Sequence, residues 1–331
     1  MTDRPVLVGV DAGGTSTRSV VVDRSGRCRG LGRAGSGNPT AVGVEAASAA
    51  VTASVGDALA AARLAGDRVD AVLLAMAGAA TTSPLDAVRR GLAGLGVDAP
   101  VTVEGDLLAL YFSGTPRHDG YALVAGTGAA AVRVEEGRLA ATSDGLGWLL
   151  GDDGSGFWIG RRVARAALAD LDGRGPSTAL TGLLLDRLDL AAPATGDRAA
   201  GRDVVLRALR QLYAGRPVQL AGFAPLAFEA GNDPVASVIL DEAAAALGHT
   251  LRSVILPGIA GPVVLGGGLL THRRDLVDRL VADLAAQGST PRTAVVPDGV
   301  LGVATSALRR AGVAVDEDVF TRVARSLAEL R

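Results

Sequence analysis

Two short stretches of this 331-residue chain carry residue types suited to holding phosphate. In the first, an apolar run over residues 6–10 ends at Asp11, passes through Ala12, Gly13, Gly14, Thr15, Ser16 and Thr17, and resumes with Val20, Val21 and Val22. Apolar runs on both sides of a glycine turn predict a hairpin, not a strand, loop and helix. Glycine permits positive φ and close approach of the backbone to a ligand. The turn's amides are thus expected to face phosphate oxygens, with the Thr15 and Thr17 hydroxyls as further donors. Asp11, at the strand's end, suits a magnesium ion, which takes carboxylate, water and phosphate oxygens. The same residues would also make a plain tight hairpin bearing a surface acid.

A second copy shifts the balance. Residues 121–125 lead into Gly126, Thr127 and Gly128, then an apolar run over 129–134 and a polar turn over 135–138, as the first copy continues through 23–27. Gly126, Gly128 and Ala131 match the spacing of a dinucleotide fingerprint, but that motif opens a helix and here a strand continues. Two phosphate-type hairpins, each opening one half of the chain, predict a duplicated α/β fold with nucleotide phosphate held between the halves.

Other elements must bring the remaining groups to that place. A strand over 70–78 ends in small residues at Gly78, and one over 101–106 ends at Asp106 with a helix following. Open α/β sheets bind ligands beyond the carboxyl ends of their strands, so Asp11, Gly78 and Asp106 are expected on one cleft. Asp106 also stands where a helix N-cap is favoured. In the cleft, its carboxylate suits the proton acceptor of a phosphoryl transfer. Helical spacing is read over 45–65, 83–95, 161–171, 177–188, 204–213, 221–231, 234–253 and 273–287. A strand over 293–296, a packed helix opened by 297–304 and a charged amphipathic helix over 316–331 complete the chain. Residues 35–40, 172–176 and 191–197 read as loops.

Composition narrows the classes. The net charge of −2 offers no basic field for nucleic acid or a membrane surface. All 33 basic residues are arginine, which excludes a Walker lysine and a Schiff base. The single Cys28 forms no internal disulfide, and His118, His249 and His272 lie too far apart for a metal-ligand cluster. With neither a signal sequence nor a bilayer-length apolar run, a cytoplasmic location is expected.

The two glycine hairpins resemble the phosphate loops of the sugar kinase–actin–Hsp70 superfamily, and residues 262–269, with Gly266, Gly267 and Gly268, look like its adenosine loop. Residues 144–160, which include Gly145, Trp148, Gly151, Asp152 and Gly156, are similar to a motif of N-acetylglucosamine kinases in the BadF/BadG ATPase family. The resemblance runs from Val8 to about Ala307. It implies a duplicated ribonuclease H-like, actin-like ATPase fold, with halves at 1–115 plus 316–331 and at 116–315, and a tail helix packed back on the first half.

ATP and Mg2+ are then the implied cofactors, an amino sugar the small-molecule partner, and a homodimer the assembly. By position, the family's sugar contacts fall on Asn38, Gly78, Asp106, Gly145 and Asp152, with Asp106 as base. Gly13, Gly14, Thr15, Thr17, Gly126, Thr127, Gly128, Gly266 and Gly267 fall on the nucleotide, and Asp11 on the metal. The implied reaction is phosphorylation of N-acetylglucosamine at its 6-hydroxyl. Where relatives commonly have Ser-Asn after the second turn, this chain has Ala129 and Ala130, so two polar contacts are missing and acceptor preference is less fixed than reaction type. The dehydratase activators of the same family share an iron–sulfur cluster that a lone Cys28 does not supply. The zinc-bearing sugar-kinase branch fails on the same counts. A sugar-sensing regulator is the alternative from another class, and no DNA-binding segment is expected ahead of the first strand.

Overall fold

The computed structural model describes residues 5–76, 84–192, 198–288 and 291–331. In the first half, β1 (Val6–Ala12), β2 (Thr17–Asp23) and β3 (Cys28–Ala34) form an antiparallel meander, and β4 (Val69–Met76) and β5 (Val101–Glu104) extend it in parallel on the other side of β1. The order is β3-β2-β1-β4-β5. In the second half, β6 (Gly120–Ala125), β7 (Ala129–Glu135) and β8 (Arg138–Asp144) form the meander, and β9 (Val263–Gly266) and β10 (Thr293–Val295) the parallel wing. Read from the other edge, its order β8-β7-β6-β9-β10 repeats the first. The duplication expected from two hairpins is therefore a duplication of whole sheets.

Both faces of each sheet are covered, which is why the central strands read as continuous apolar runs. On the first sheet, Val6, Val8 and Val10 of β1 pack on α2 (Val44–Ala62) and α3 (Leu85–Gly94), with Val51, Val55 and Leu92 among the contacts. The alternate residue Leu7 points to the other face, where α12 (Val300–Arg310) and α13 (Glu317–Ala328) bring Val303, Leu308, Val323 and Leu327. The tail helix thus packs back on the first half, and the Cys28 N–H donates to Ser326 Oγ at 2.9 Å.

On the second sheet, α5 (Gly156–Leu171), α6 (Ala179–Arg187), α8 (Ala224–Glu229), α9 (Pro234–Arg252) and α11 (Arg274–Ala286) enclose one core around Leu123, Ile159, Leu184 and Leu247. Short helices α1 (Pro39–Val42) and α10 (Gly268–His272) edge the cleft, and α7 (Arg198–Ala214) flanks α5.

The helix α4 (Asp106–Gly114) belongs to both halves. Its Ala109 joins the core under the first sheet, while Leu110, Tyr111 and Phe112 pack on Ala122, Val132 and Val264 of the second. Three sequence expectations change. Gly105, not Asp106, is the N-cap of α4, and Asp106 is its first helical residue. Residues 217–223 form a 3-10 helix ahead of α8, so 221–231 is not one helix. Finally, α12, which falls in the expected second half, lies on the first sheet, because its apolar face matches the residues that β1 and β2 leave open.

Candidate active site

The first turn is closed by the Gly13 N–H donating to Ser16 O at 3.0 Å and braced by the Gly37 N–H on Gly13 O at 3.1 Å. That leaves its tip turned outward. Among the described residues, the amides of Gly14 and Thr15 meet no protein acceptor, and both residues line a cavity of about 610 Å3 between the halves. Paired free amides on a glycine turn are the backbone pattern that holds an anion. Thr17 is different. It is fully buried and its hydroxyl donates to Gly35 O at 2.8 Å, so it anchors the loop before Asn38 and does not face the cavity.

At the end of β1, Asp11 Oδ2 accepts the Gly299 N–H at 2.9 Å. Only glycine permits this, because a Cβ at 299 would stand 2.9 Å from Asp11 Cγ. Burial pushes the Asp11 carboxyl up to about 7, opposed by the Gly299 N–H and Arg18 and aided by the nearby Asp298 and Asp106. Asp298 is itself engaged, with Oδ1 accepting from Arg331 at 2.6 Å and from the Val300 N–H at 3.1 Å. Asp11 is thus a carboxylate short of positive charge at the mouth of a phosphate turn.

Across the cavity, Gly126, Thr127 and Gly128 present the second turn, drawn tight by the Gly126 N–H on Gly128 O at 2.9 Å. The first turn of α5 seats it, with Gly156 N–H on Gly126 O at 2.8 Å and Phe157 N–H on Thr127 O at 3.1 Å. Gly145 and Asp152 reach the residue just after the turn, Gly145 N–H donating to Ala129 O at 2.9 Å and Asp152 Oδ1 accepting the Ala129 N–H at 3.0 Å. Burial raises the Asp152 carboxyl, the Ala129 N–H lowers it, and Asp144 and Asp153 raise it further.

Asp106 opens α4 just past β5, near enough to Asp11 to raise its carboxyl, but neither carboxylate lines the cavity that the two turns share, and neither do Gly145 and Asp152. Burial raises its carboxyl, while its own N–H and that of Leu107 favour the charged form. Asn38 lines the cavity and also caps α1, its Oδ1 accepting the Thr40 N–H at 2.9 Å. Among the described residues its amide nitrogen meets no protein acceptor. Gly78 lies outside the described residues. Gly266 and Gly267 do not line the cavity: a Cβ on them would meet Leu110 at 2.4 Å and Ala125 O at 2.5 Å, and Gly268 faces the open space instead.

A family model described as the BadF/BadG/BcrA/BcrD ATPase family matches residues 8–307, nearly the whole chain. The chain belongs to this family. As a BadF/BadG-family ATPase it uses ATP. One relative, an N-acetyl-D-glucosamine kinase of Dictyostelium discoideum, is 28% identical over 84% of this chain and 89% of its own. An N-acetylmuramic acid/N-acetylglucosamine kinase of Clostridium acetobutylicum is 34% identical over 38% of this chain and 40% of its own. The solved structure of a Chromobacterium violaceum protein described as a putative N-acetylglucosamine kinase superposes with a TM-score of 0.70 at 24% identity, covering 93% of this chain and all of that one. A ROK glucokinase of Streptomyces griseus gives 0.56 at 21%, covering 92% of this chain and 99% of that one. These likenesses show the fold, a duplicated ribonuclease H-like α/β ATPase with its cleft between two sheets.

The family's cleft also contains residues that the sequence reading did not single out. Phe228 of α8 and Arg273, just past α10, line the cavity, with the guanidinium 4.4 Å above the phenyl ring. His272 joins them, its ring nitrogen bonded to Gly268 O at 2.8 Å. The Phe228–Arg273 pair has no local signal, since only the fold brings α8 beside the end of α10. Gly299 had one: Asp298-Gly299 ahead of a helix marks a turn whose amide must point somewhere.

Proposed function

We propose that this BadF/BadG-family ATPase is an N-acetylglucosamine kinase, transferring the γ-phosphoryl group of ATP to the sugar's 6-hydroxyl. What carries the reading is a cavity between the halves lined by both phosphate-type turns, with Asp11 leading into the first of them and Asp106 near enough to Asp11 to raise its carboxyl. The Dictyostelium relative, matched over most of both chains, supports the amino sugar.

In this reading the amides of Gly14, Thr15 and Thr127 and the threonine hydroxyls hold the ATP phosphates. Asp106 accepts the 6-hydroxyl proton as the new O–P bond forms and the bond to the β-phosphate oxygen breaks, releasing ADP. A carboxyl raised by burial is a better base at neutral pH than a free one. Mg2+ fits Asp11, since that ion needs few protein carboxylates and completes its shell with water and phosphate. When bound, Mg2+ neutralises phosphate charge. The free amide of Asn38 and the second oxygen of Asp152 suit ring hydroxyls, with Gly145 and the small residues Ala129 and Ala130 leaving room for an acetamido group.

We assign residues 5–115 and 300–331 to one half and 116–299 to the other. A homodimer in the cytoplasm belongs to the same reading. Leu149 and Tyr213, 73% and 84% exposed, line one surface cavity that a second copy would cover. Light scattering tests it, and a monomer at micromolar concentration would remove the dimer alone.

The deciding experiment is ADP release with ATP, Mg2+ and a panel of N-acetylglucosamine, glucosamine, glucose and N-acetylmuramic acid. N-acetylglucosamine is expected to lead glucosamine and glucose by at least about tenfold in kcat/KM, ~1.4 kcal/mol of differential binding. Equal use of glucosamine would leave a kinase with another acceptor. No ADP release with any sugar would favour a sugar-sensing regulator.

A further inference from the structure

We infer that Asp144 is a positioning residue for the acceptor side of the site, and that Gly151 is glycine so that Asp144 can do this. The inference rests on the kinase reading for its functional part and on geometry for the rest. The segment from Asp144 to Asp152 leaves β8 and returns to α5, and both of its ends are held in the left-handed region, with φ of 63° and 59°. Aspartate pays for that conformation, so something must hold it. Apolar packing supplies one contact, Trp148 against Phe157 with ring centroids 5.7 Å apart, while Leu146, Leu149 and Leu150 are 67%, 73% and 77% exposed. The turn closed by the Gly151 N–H on Gly147 O at 2.9 Å lies within the loop and ties neither end.

The Asp144 carboxylate does the holding. Its Oδ1 accepts the Asp152 N–H at 2.7 Å and the Leu146 N–H at 3.5 Å, and its Oδ2 accepts the Asp153 N–H at 3.0 Å. One side chain therefore ties the outgoing and returning strands of the loop together. The two residues set by this tie, Gly145 and Asp152, take the C=O and N–H of Ala129, the residue that follows the second phosphate turn. Acceptor loop and phosphate turn are in this way one hydrogen-bonded unit with Asp144 at its base, touching neither sugar nor nucleotide.

Gly151 makes the tie possible. A Cβ there would lie 2.2 Å from Asp144 Oδ1, although Gly151 is not in the left-handed region and its backbone would accept alanine. Gly151→Ala should displace the Asp144 carboxylate without altering any charge. It is the natural companion to Asp144→Ala and Asp144→Asn.

The test measures hydrogen exchange over residues 144–153, affinity for an ATP analogue and steady-state kinetics of all four proteins, wild type first. For Asp144→Ala and Gly151→Ala we expect faster exchange confined to 144–153 and a loss of about ten- to hundredfold in acceptor kcat/KM, as a displaced acceptor group would give. Nucleotide affinity should stay within about threefold, whereas general unfolding would lower both. Asp144→Asn keeps an oxygen for the Asp152 N–H but presents an amide to Asp153, so it should fall between. Unchanged exchange in both alanine variants would overturn the inference, whatever the activity. Faster exchange with an unchanged acceptor kcat/KM would overturn the positioning role. A wild type that releases no ADP with any sugar would instead sink the kinase reading, leaving exchange to judge the tie.

Discussion

At the residue scale, burial raises two carboxyls, those of Asp11 and Asp106, to which the kinase reading gives different tasks. Asp106→Asn is expected to lower kcat by about 10²–10⁴-fold while leaving the acceptor KM within several-fold, since a base acts mainly in the transition state. Because the folded pKa of Asp106 is raised above 3.8, wild-type kcat/KM should fall on the acid side at a pH above that value, with a limb absent from the residual activity of the Asn variant. The same shift bears on stability. A carboxyl that binds its proton more tightly when folded stabilises the fold below 3.8, and that contribution is lost as pH rises through the folded value. Asp11→Ala and Gly299→Ala should each raise the Mg2+ concentration needed for half-maximal rate, the first by deletion and the second by pushing the carboxylate aside. A Gly299→Ala enzyme with native Mg2+ dependence would separate Asp11 from the metal. These carboxylates were legible in the sequence because each closes an apolar strand. Gly299 was legible only as a turn residue, and its meeting with Asp11 was not, for its amide comes from the far end of the chain.

At the element scale the hairpins were readable and the helix partners were not. Glycine turns and strand periodicity are local signals, whereas nothing within residues 300–310 says that α12 crosses to the first sheet. The crossing is enforced where α12 meets α4, with the Gly302 N–H donating to Ser113 Oγ at 2.8 Å and a Cβ at 302 falling 1.7 Å from Ala109 O. Gly302→Ala should therefore cost about 1–3 kcal/mol by overpacking and also lower kcat, because the wedge moves the helix that begins at Asp106. Gly182 of α6 makes the contrast. It is exposed with open space around it, so Gly182→Ala should raise stability by about 0.5–1 kcal/mol with kcat unchanged. Thermal melts of the pair decide whether helix contact or helix propensity dominates. The N-cap alternative for Asp106 fails for a related reason: Asp favours the N-cap by propensity, but here its carboxyl serves the N–H groups of Asp106 and Leu107 from the first helical position.

At the scale of the whole molecule, two sheets of equal topology face each other across the ATP cleft, and the kinase reading implies that they close on ligand. Small-angle scattering should show a smaller radius of gyration with N-acetylglucosamine and a non-hydrolysable ATP analogue together. Identical curves with and without ligands would count against closure. The duplication was legible because both copies retain glycine, apolar run and polar turn in the same order. The extent of each half was not, since α12 and α4 are shared out by tertiary packing.

The position of α4, with one flank on each sheet, has a mechanical consequence. It lies where an axle would lie, and points near an axle travel little while the rims sweep far. Asp106 sits at its end, so the kinase reading predicts that its carboxylate keeps its station relative to both sheets as the halves close. The longer displacements are then expected at elements away from α4, such as α1 in one half and α9 in the other. Spin labels at the exposed Val42 and Val238 should report a large change in separation on ligand addition, and a pair flanking α4 almost none.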